Sequence, residues 1–157
     1  KHIKIIASGK IITGFNILRN IALGADMVNS ARAMMMALGC IQALECNKNT
    51  CPTGVATQNP SLIKGLDIDD KSKRVAKYHR ETIKSVIDLL SATGHDSLNM
   101  IKRNDIYRRI NQEEVKKLNE IYPDIQYGSF LKGEMPNNLI NDFTLANENS
   151  FLPKNNV

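Results

Sequence analysis

The first apolar run, Ile3-Lys4-Ile5-Ile6-Ala7, is short and β-branched and stops at Ser8-Gly9-Lys10. It predicts a buried parallel strand opening into a loop. The period then lengthens. Ile17, Leu18, Ile21 and Ala22 share a face at helical spacing, Thr13 stands where an N-cap belongs, and Gly24 is placed to stop the helix. Asp26-Met27-Val28-Asn29-Ser30 predicts a second short strand. A strand, a helix and a strand within thirty residues make a βαβ unit with a right-handed crossover.

Residues 31–46 predict a helical or partly helical stretch, in which Met34, Met35 and Met36 read as core filler. From Asn47 to Pro60 the chain is rich in Asn, Thr, Gly and Pro and has no periodicity. It exceeds the usual connection length, which favours a functional role. The strongest pattern predicts a helix from about Asp70 to Thr93, with Val75, Tyr78, Thr82, Val86, Leu89 and Leu90 as its buried stripe and Gly94 at its end. Asp96 or Ser97 is placed to cap a short helix, and Asn104-Asp105 marks a further turn before Ile106 and Ile110. Residues 123–157 are Asn-rich, with Pro123, Pro136 and Pro153, and read as an irregular tail that wraps a larger body or is poorly ordered. There are no repeats.

Composition narrows the field. The chain has 157 residues, 42% of them hydrophobic and 24% charged, as in an ordinary globular protein with one real core. Trp is absent and aromatics make up 5%, which argues against a base-stacking surface. The net charge of +5 is spread among acids: Lys71, Lys73, Arg74, Lys77 and Arg80 lie near Asp67, Asp69, Asp70 and Glu81. That is a solvated helix face, and no nucleic-acid partner is expected. No run has the length of a membrane span and no secretory leader is visible, so a cytoplasmic location is expected. The opening Lys1-His2-Ile3, without an initiator Met, leads us to expect a piece of a longer protein.

The chemistry is concentrated in one place. All three cysteines, Cys40, Cys46 and Cys51, fall within twelve residues in the pattern Cys-x5-Cys-x4-Cys-Pro. Clustered thiolates are what iron–sulfur clusters require, and Pro52 turns the chain away after the last of them. Three buried cysteines of no special role are the plain alternative. A disulfide leaves one thiol over, and zinc needs a fourth ligand from a distant His or carboxylate. Two loops follow the two expected strands, Ser8-Gly9-Lys10 and Asn29-Ser30-Ala31-Arg32. In β/α barrels a phosphate commonly binds between the loops after the last two strands, on backbone N–H groups and a helix N-terminus. Small residues admit the phosphate, and Lys10 and Arg32 supply positive charge. Each loop alone is an ordinary turn. The pair, with a cysteine cluster close behind, favours a cofactor site.

Over roughly residues 3–110 the chain resembles the end of the FMN-binding synthase domain of glutamate synthase, and more narrowly the short bacterial relatives that lack the glutaminase domain. The resemblance rests on Ile5-Ile6-Ala7-Ser8-Gly9-Lys10, Leu23-Gly24-Ala25-Asp26, Ala37-Leu38-Gly39-Cys40, Cys46, and Cys51-Pro52-Thr53-Gly54-Val55-Ala56-Thr57-Gln58. It implies an α/β fold, the C-terminal portion of a (β/α)8 TIM barrel comprising its last two strand–helix units. Residues 1–110 would form that part, with an iron–sulfur loop at 39–60, and residues 111–157 a helical or irregular tail. It implies that Cys40, Cys46 and Cys51 hold a 3Fe–4S cluster, and that Ser8, Gly9, Lys10, Ser30, Ala31 and Arg32 hold the phosphate of FMN. Larger family members have Gly-Gly where this chain has Gly9-Lys10, and a Gly-rich loop where it has Ser30-Ala31-Arg32.

The implied activity is reductive amination of 2-oxoglutarate to glutamate. Ammonia or glutamine-derived nitrogen would be the second substrate, with electrons from ferredoxin or a reductase subunit. Self-association, or association with the missing N-terminal part of the barrel, would cover the open strands. The alternatives are a flavin and iron–sulfur electron-transfer protein acting on another substrate, and a structural metal-binding module. No general acid or base is identifiable: His2, His79 and His95 are the histidines, and helix positions favour surface or structural roles for the last two.

Overall fold

The computed structural model describes residues 3–154. His2 lies outside them. Strand β1 (Ile6–Ser8) and strand β2 (Met27–Asn29) pair in parallel, with Ile6 opposite Met27, Ala7 opposite Val28 and Ser8 opposite Asn29. Helix α1 (Gly14–Ala22) joins them. Its start is fixed as the sequence predicts: the Thr13 hydroxyl accepts the Asn16 N–H, and the Asn16 side chain accepts the Thr13 N–H at 3.1 Å. It stops at Gly24, whose left-handed φ of 112° carries the chain into Asp26. The Asp26 carboxylate then accepts the Ile5 N–H at 2.9 Å and pairs with Lys4, tying the second strand to the first.

Helix α2 (Arg32–Leu38) ends at Gly39, again left-handed, so the helical part of residues 31–46 is its first half only. A short helix α3 (Pro60–Ile63) is capped by Asn59. The long helix α4 (Ile68–Ala92) begins earlier than the expected Asp70, because the Asp67 side chain accepts the Asp70 N–H and acts as the cap. Both α1 and α2 pack on α4. Leu18, Ala22, Ala33 and Val86 are buried along these seams. Of the expected α4 stripe only Val86 is fully buried, and Val75, Tyr78, Thr82, Leu89 and Leu90 are half-buried. The Tyr78 hydroxyl donates to the Ile12 carbonyl and fastens α4 to the loop after β1.

Beyond α4, one-turn 3-10 segments at Leu98–Met100 and Arg103–Asp105 lead to a hairpin of β3 (Tyr107–Arg109) and β4 (Val115–Lys117). The Arg103 guanidinium donates to the Leu23 carbonyl at 3.0 Å, and Ile101, Ile106 and Leu118 are buried. Helix α5 (Leu118–Ile121) follows.

The chain divides into two compact units, Lys1–Leu118 and Asn119–Val157. The second holds a 3-10 turn at Phe130–Lys132 and helix α6 (Asn137–Leu145), within the stretch expected to be a helical or irregular tail. Phe130 and Phe143 meet edge to face at 5.2 Å within it.

One expectation needs correction. The β1 strand is not buried: Ile5 is 50% and Ile6 60% exposed, and Met27 on β2 is 50% exposed. A parallel pair is buried only when other layers cover both faces. Among the described residues no other strand pairs with these two.

Candidate cofactor site

The two strand-end loops face one cavity of about 500 Å³. Ser8, Gly9 and Lys10 line it from the first loop, and Asn29, Ala31 and Arg32 from the second. Five of the six expected phosphate residues therefore converge. Ser30 does not line the cavity; its hydroxyl donates to the Ile11 carbonyl at 2.7 Å and ties the two loops together. Lys10 and Arg32 are exposed and have no ion-pair partner among the described residues. Two unpaired cations lining one cavity are suited to an anion.

A residue absent from the sequence expectations also lines this cavity: Gln42, from the cysteine loop. Its backbone is left-handed, with φ of 58°, as is that of Lys10, with φ of 53°. Among the described residues, the other non-glycine residues in this region of φ/ψ space are Leu44 and Asn49. All four lie in the first strand-end loop or the cysteine loop. Nothing in the hydrophobic pattern marks Gln42; its position two residues after Cys40 is the only signal.

Cys40 is half-buried, Cys46 exposed and Cys51 buried, and all three are free thiols. Among the described residues no three His, Cys, Asp or Glu side chains close around a single metal-ion position. The environment of Cys51 nonetheless favours its thiolate. The Thr53 hydroxyl, 3.4 Å away, and the backbone N–H groups of Ala56, Thr53 and Val55 bring its pKa down to about 7. The Gln42 N–H lies 3.4 Å from the Cys40 sulfur. Donors aimed at sulfur are what a thiolate ligand of an iron–sulfur cluster uses to hold its charge, so the donor set fits such a group.

The far end of the loop is anchored. The Thr57 hydroxyl, buried, donates to the Asn49 carbonyl at 2.7 Å, and the Asn49 side chain accepts the Gln58 N–H at 2.5 Å. Gly54 sits so close to α3 that a Cβ there would lie 2.4 Å from the Leu62 carbonyl oxygen. Any other residue would push the loop off that helix.

Neither described histidine reaches the cavity. His79 lines an apolar groove with Met34, Leu38 and Val75, and His95 Nε2 lies 3.1 Å from the Asp105 carboxylate. No helix is long and apolar enough to cross a membrane among the described residues.

Residues 1–96 match the family model described as the conserved region in glutamate synthase. The chain is 44% identical over 109 residues to the glutamate synthase large subunit-like protein YerD of Bacillus subtilis, a match covering 69% of this chain and 21% of that protein. It is 37% identical over 120 residues to the archaeal glutamate synthase (NADPH) of Methanocaldococcus jannaschii, covering 74% and 24%. It is 34% identical over 99 residues to the glutamate synthase (NADPH) large chain of Bacillus subtilis, covering 62% and 6%. The chain thus spans about a quarter or less of the length of these relatives. The 96 matched residues hold both strand-end loops and all three cysteines, and on that match the chain belongs to the glutamate synthase family.

Proposed function

We propose that this chain is the C-terminal part of a (β/α)8 barrel that binds FMN and a 3Fe–4S cluster and, in the full-length protein, carries out the reductive amination of 2-oxoglutarate to glutamate. Ammonia or glutamine-derived nitrogen is the second substrate, and a ferredoxin or a reductase subunit supplies the electrons. The observation that carries this reading is the cavity: both strand-end loops and the cysteine loop border it, and two unpaired cations face it.

When bound, the flavin and the cluster supply the hydride and electron transfer that side chains cannot. The chain's own residues hold and tune them. Lys10 and Arg32 neutralise the phosphate, and the small residues Gly9 and Ala31 keep side-chain bulk away from it. Ser30 holds the second loop against Ile11 so that both cations line the same cavity. Cys40, Cys46 and Cys51 hold the iron, with Thr53 and the N–H groups beyond it stabilising the Cys51 thiolate. Three thiolates leave no protein ligand for a fourth iron, in keeping with a three-iron cluster. Membership of the glutamate synthase family supports the reaction class, and the walls that would enclose the flavin ring belong to barrel strands other than β1 and β2.

Arg32→Ala in the full-length protein tests this. Losing a charge-assisted phosphate contact costs about 1.5–3 kcal/mol, a roughly tenfold to hundredfold weaker Kd for FMN by fluorescence titration. Unchanged affinity would remove Arg32 from the phosphate site.

A further inference from the structure

Gln42 occupies an unusual position. It belongs to the cysteine loop by sequence, yet it lines the cavity between the two strand-end loops, together with Lys10 and Arg32. Its backbone N–H points to the Cys40 sulfur at 3.4 Å. It holds a left-handed backbone at φ 58°, a conformation that costs an ordinary residue about 1–2 kcal/mol and that Gly or Asn would adopt more readily. A long amide side chain kept in a backbone that disfavours it points to a task for that side chain. In a cavity lined by two cations, a neutral amide adds a hydrogen-bond donor for an anion without adding charge.

We propose that Gln42 couples the two cofactor sites: its backbone steadies the Cys40 thiolate while its side-chain amide donates to the flavin phosphate held by Lys10 and Arg32. This rests on the flavin and cluster reading above. Loading the cysteine loop with iron fixes Cys40, which fixes the left-handed turn at Gln42, which completes the phosphate site. Flavin affinity therefore depends on cluster occupancy, and Gln42 is the residue through which it does so.

The test uses the full-length protein, with FMN affinity read by fluorescence titration and the cluster by iron content and EPR. Gln42→Gly keeps the N–H and suits the backbone but removes the amide. Gln42→Glu places a carboxylate against the phosphate. In iron-loaded protein we expect Gln42→Gly to weaken FMN binding about tenfold with the EPR signal retained, and Gln42→Glu to weaken it further. Removing the iron should weaken flavin binding in the wild type and add little in Gln42→Gly.

Wild-type flavin affinity in both variants would overturn the coupling alone. So would an equal effect of iron removal on wild type and Gln42→Gly. A wild-type protein that binds no flavin would instead overturn the functional reading, and the coupling with it. If iron removal unfolds the protein, the ranking of Gln42→Gly and Gln42→Glu in loaded protein still decides: Glu no weaker than Gly places the side chain away from the phosphate.

Discussion

At the scale of single residues, unfavourable backbone geometry is concentrated at the candidate cofactor site. Lys10, Gln42, Leu44 and Asn49 each hold a left-handed φ. Asn49 is offset by the hydrogen bonds that Thr57 and Gln58 make to it, whereas Leu44, 82% exposed, has no such compensation from packing. Strain left in place by folding is expected at ligand loops. Asp105 shows the opposite economy, a residue whose charge serves the fold. Its carboxylate accepts the Lys102 N–H at 2.8 Å, the main reason its pKa lies below the usual carboxylate range; the His95 contact adds to that and burial opposes it. A carboxyl whose pKa is lowered by folding stabilises the protein fully above its ordinary value, near 4, and the contribution is lost as pH falls through the lowered value. Asp105→Asn should therefore flatten the loss of stability below about pH 4, measured by urea unfolding of the full-length protein across pH. An acid limb as steep as the wild type's would show that Asp105 is not a stabilising carboxylate.

At the scale of elements, the α1–α4 seam carries the sharpest constraint. A Cβ on Gly14 would lie 2.7 Å from Ser85 Oγ and 2.8 Å from the Val86 backbone nitrogen. The hydroxyl can rotate away, but the backbone cannot, so Gly14→Ala has to part the helices. We expect a loss of about 1–3 kcal/mol, read as a lower unfolding midpoint; an unchanged midpoint would contradict so close an approach. The elements legible in the sequence were those with both a pattern and a boundary. Thr13 and Gly24 bracket α1, and the apolar stripe of α4 ends at Gly94. The start of α4 was misplaced because Asp67, Asp69 and Asp70 all offer a capping carboxylate, and only the backbone decides among them. The β3–β4 hairpin went unread because its turn has neither Gly nor Pro; Asn111 makes it instead, its side chain accepting the N–H groups of Glu113 and Glu114 at 2.9 Å. Helix α6 lies in the stretch read as a helical or irregular tail, and the pattern does not place it because Asn is a poor helix former, although Pro136 just before it is a usable start signal. Of the site, the two loops and the cysteines were legible as local motifs, whereas the approach of Gln42 to Lys10 and Arg32 depends on tertiary folding and leaves no mark on the pattern.

At the scale of the whole molecule, the exposed apolar face of β1 and the narrow core argue for a larger body. Ile3, Ile5 and Ile6 stand open, as do Ile83 and Ile87 on α4. Two strands cannot close a barrel, and an open edge invites pairing. This 157-residue chain, produced alone, is therefore expected to self-associate, to hold little FMN and to show no synthase turnover, by light scattering, flavin titration and assay. A monomer with stoichiometric FMN and turnover would refute the partial-barrel account. The central claim, that the two loops and the cysteine loop hold flavin and iron–sulfur cofactors side by side, is tested most directly by anaerobic absorption and EPR spectroscopy of the full-length protein beside its Cys46→Ser variant. Serine is nearly isosteric but a poor ligand for iron of this kind. The account predicts a flavin spectrum and a three-iron cluster signal in the wild type, with the cluster signal, iron and sulfide lost in the variant. A wild type carrying zinc and no flavin, or a variant that keeps its full iron and sulfide, would contradict it.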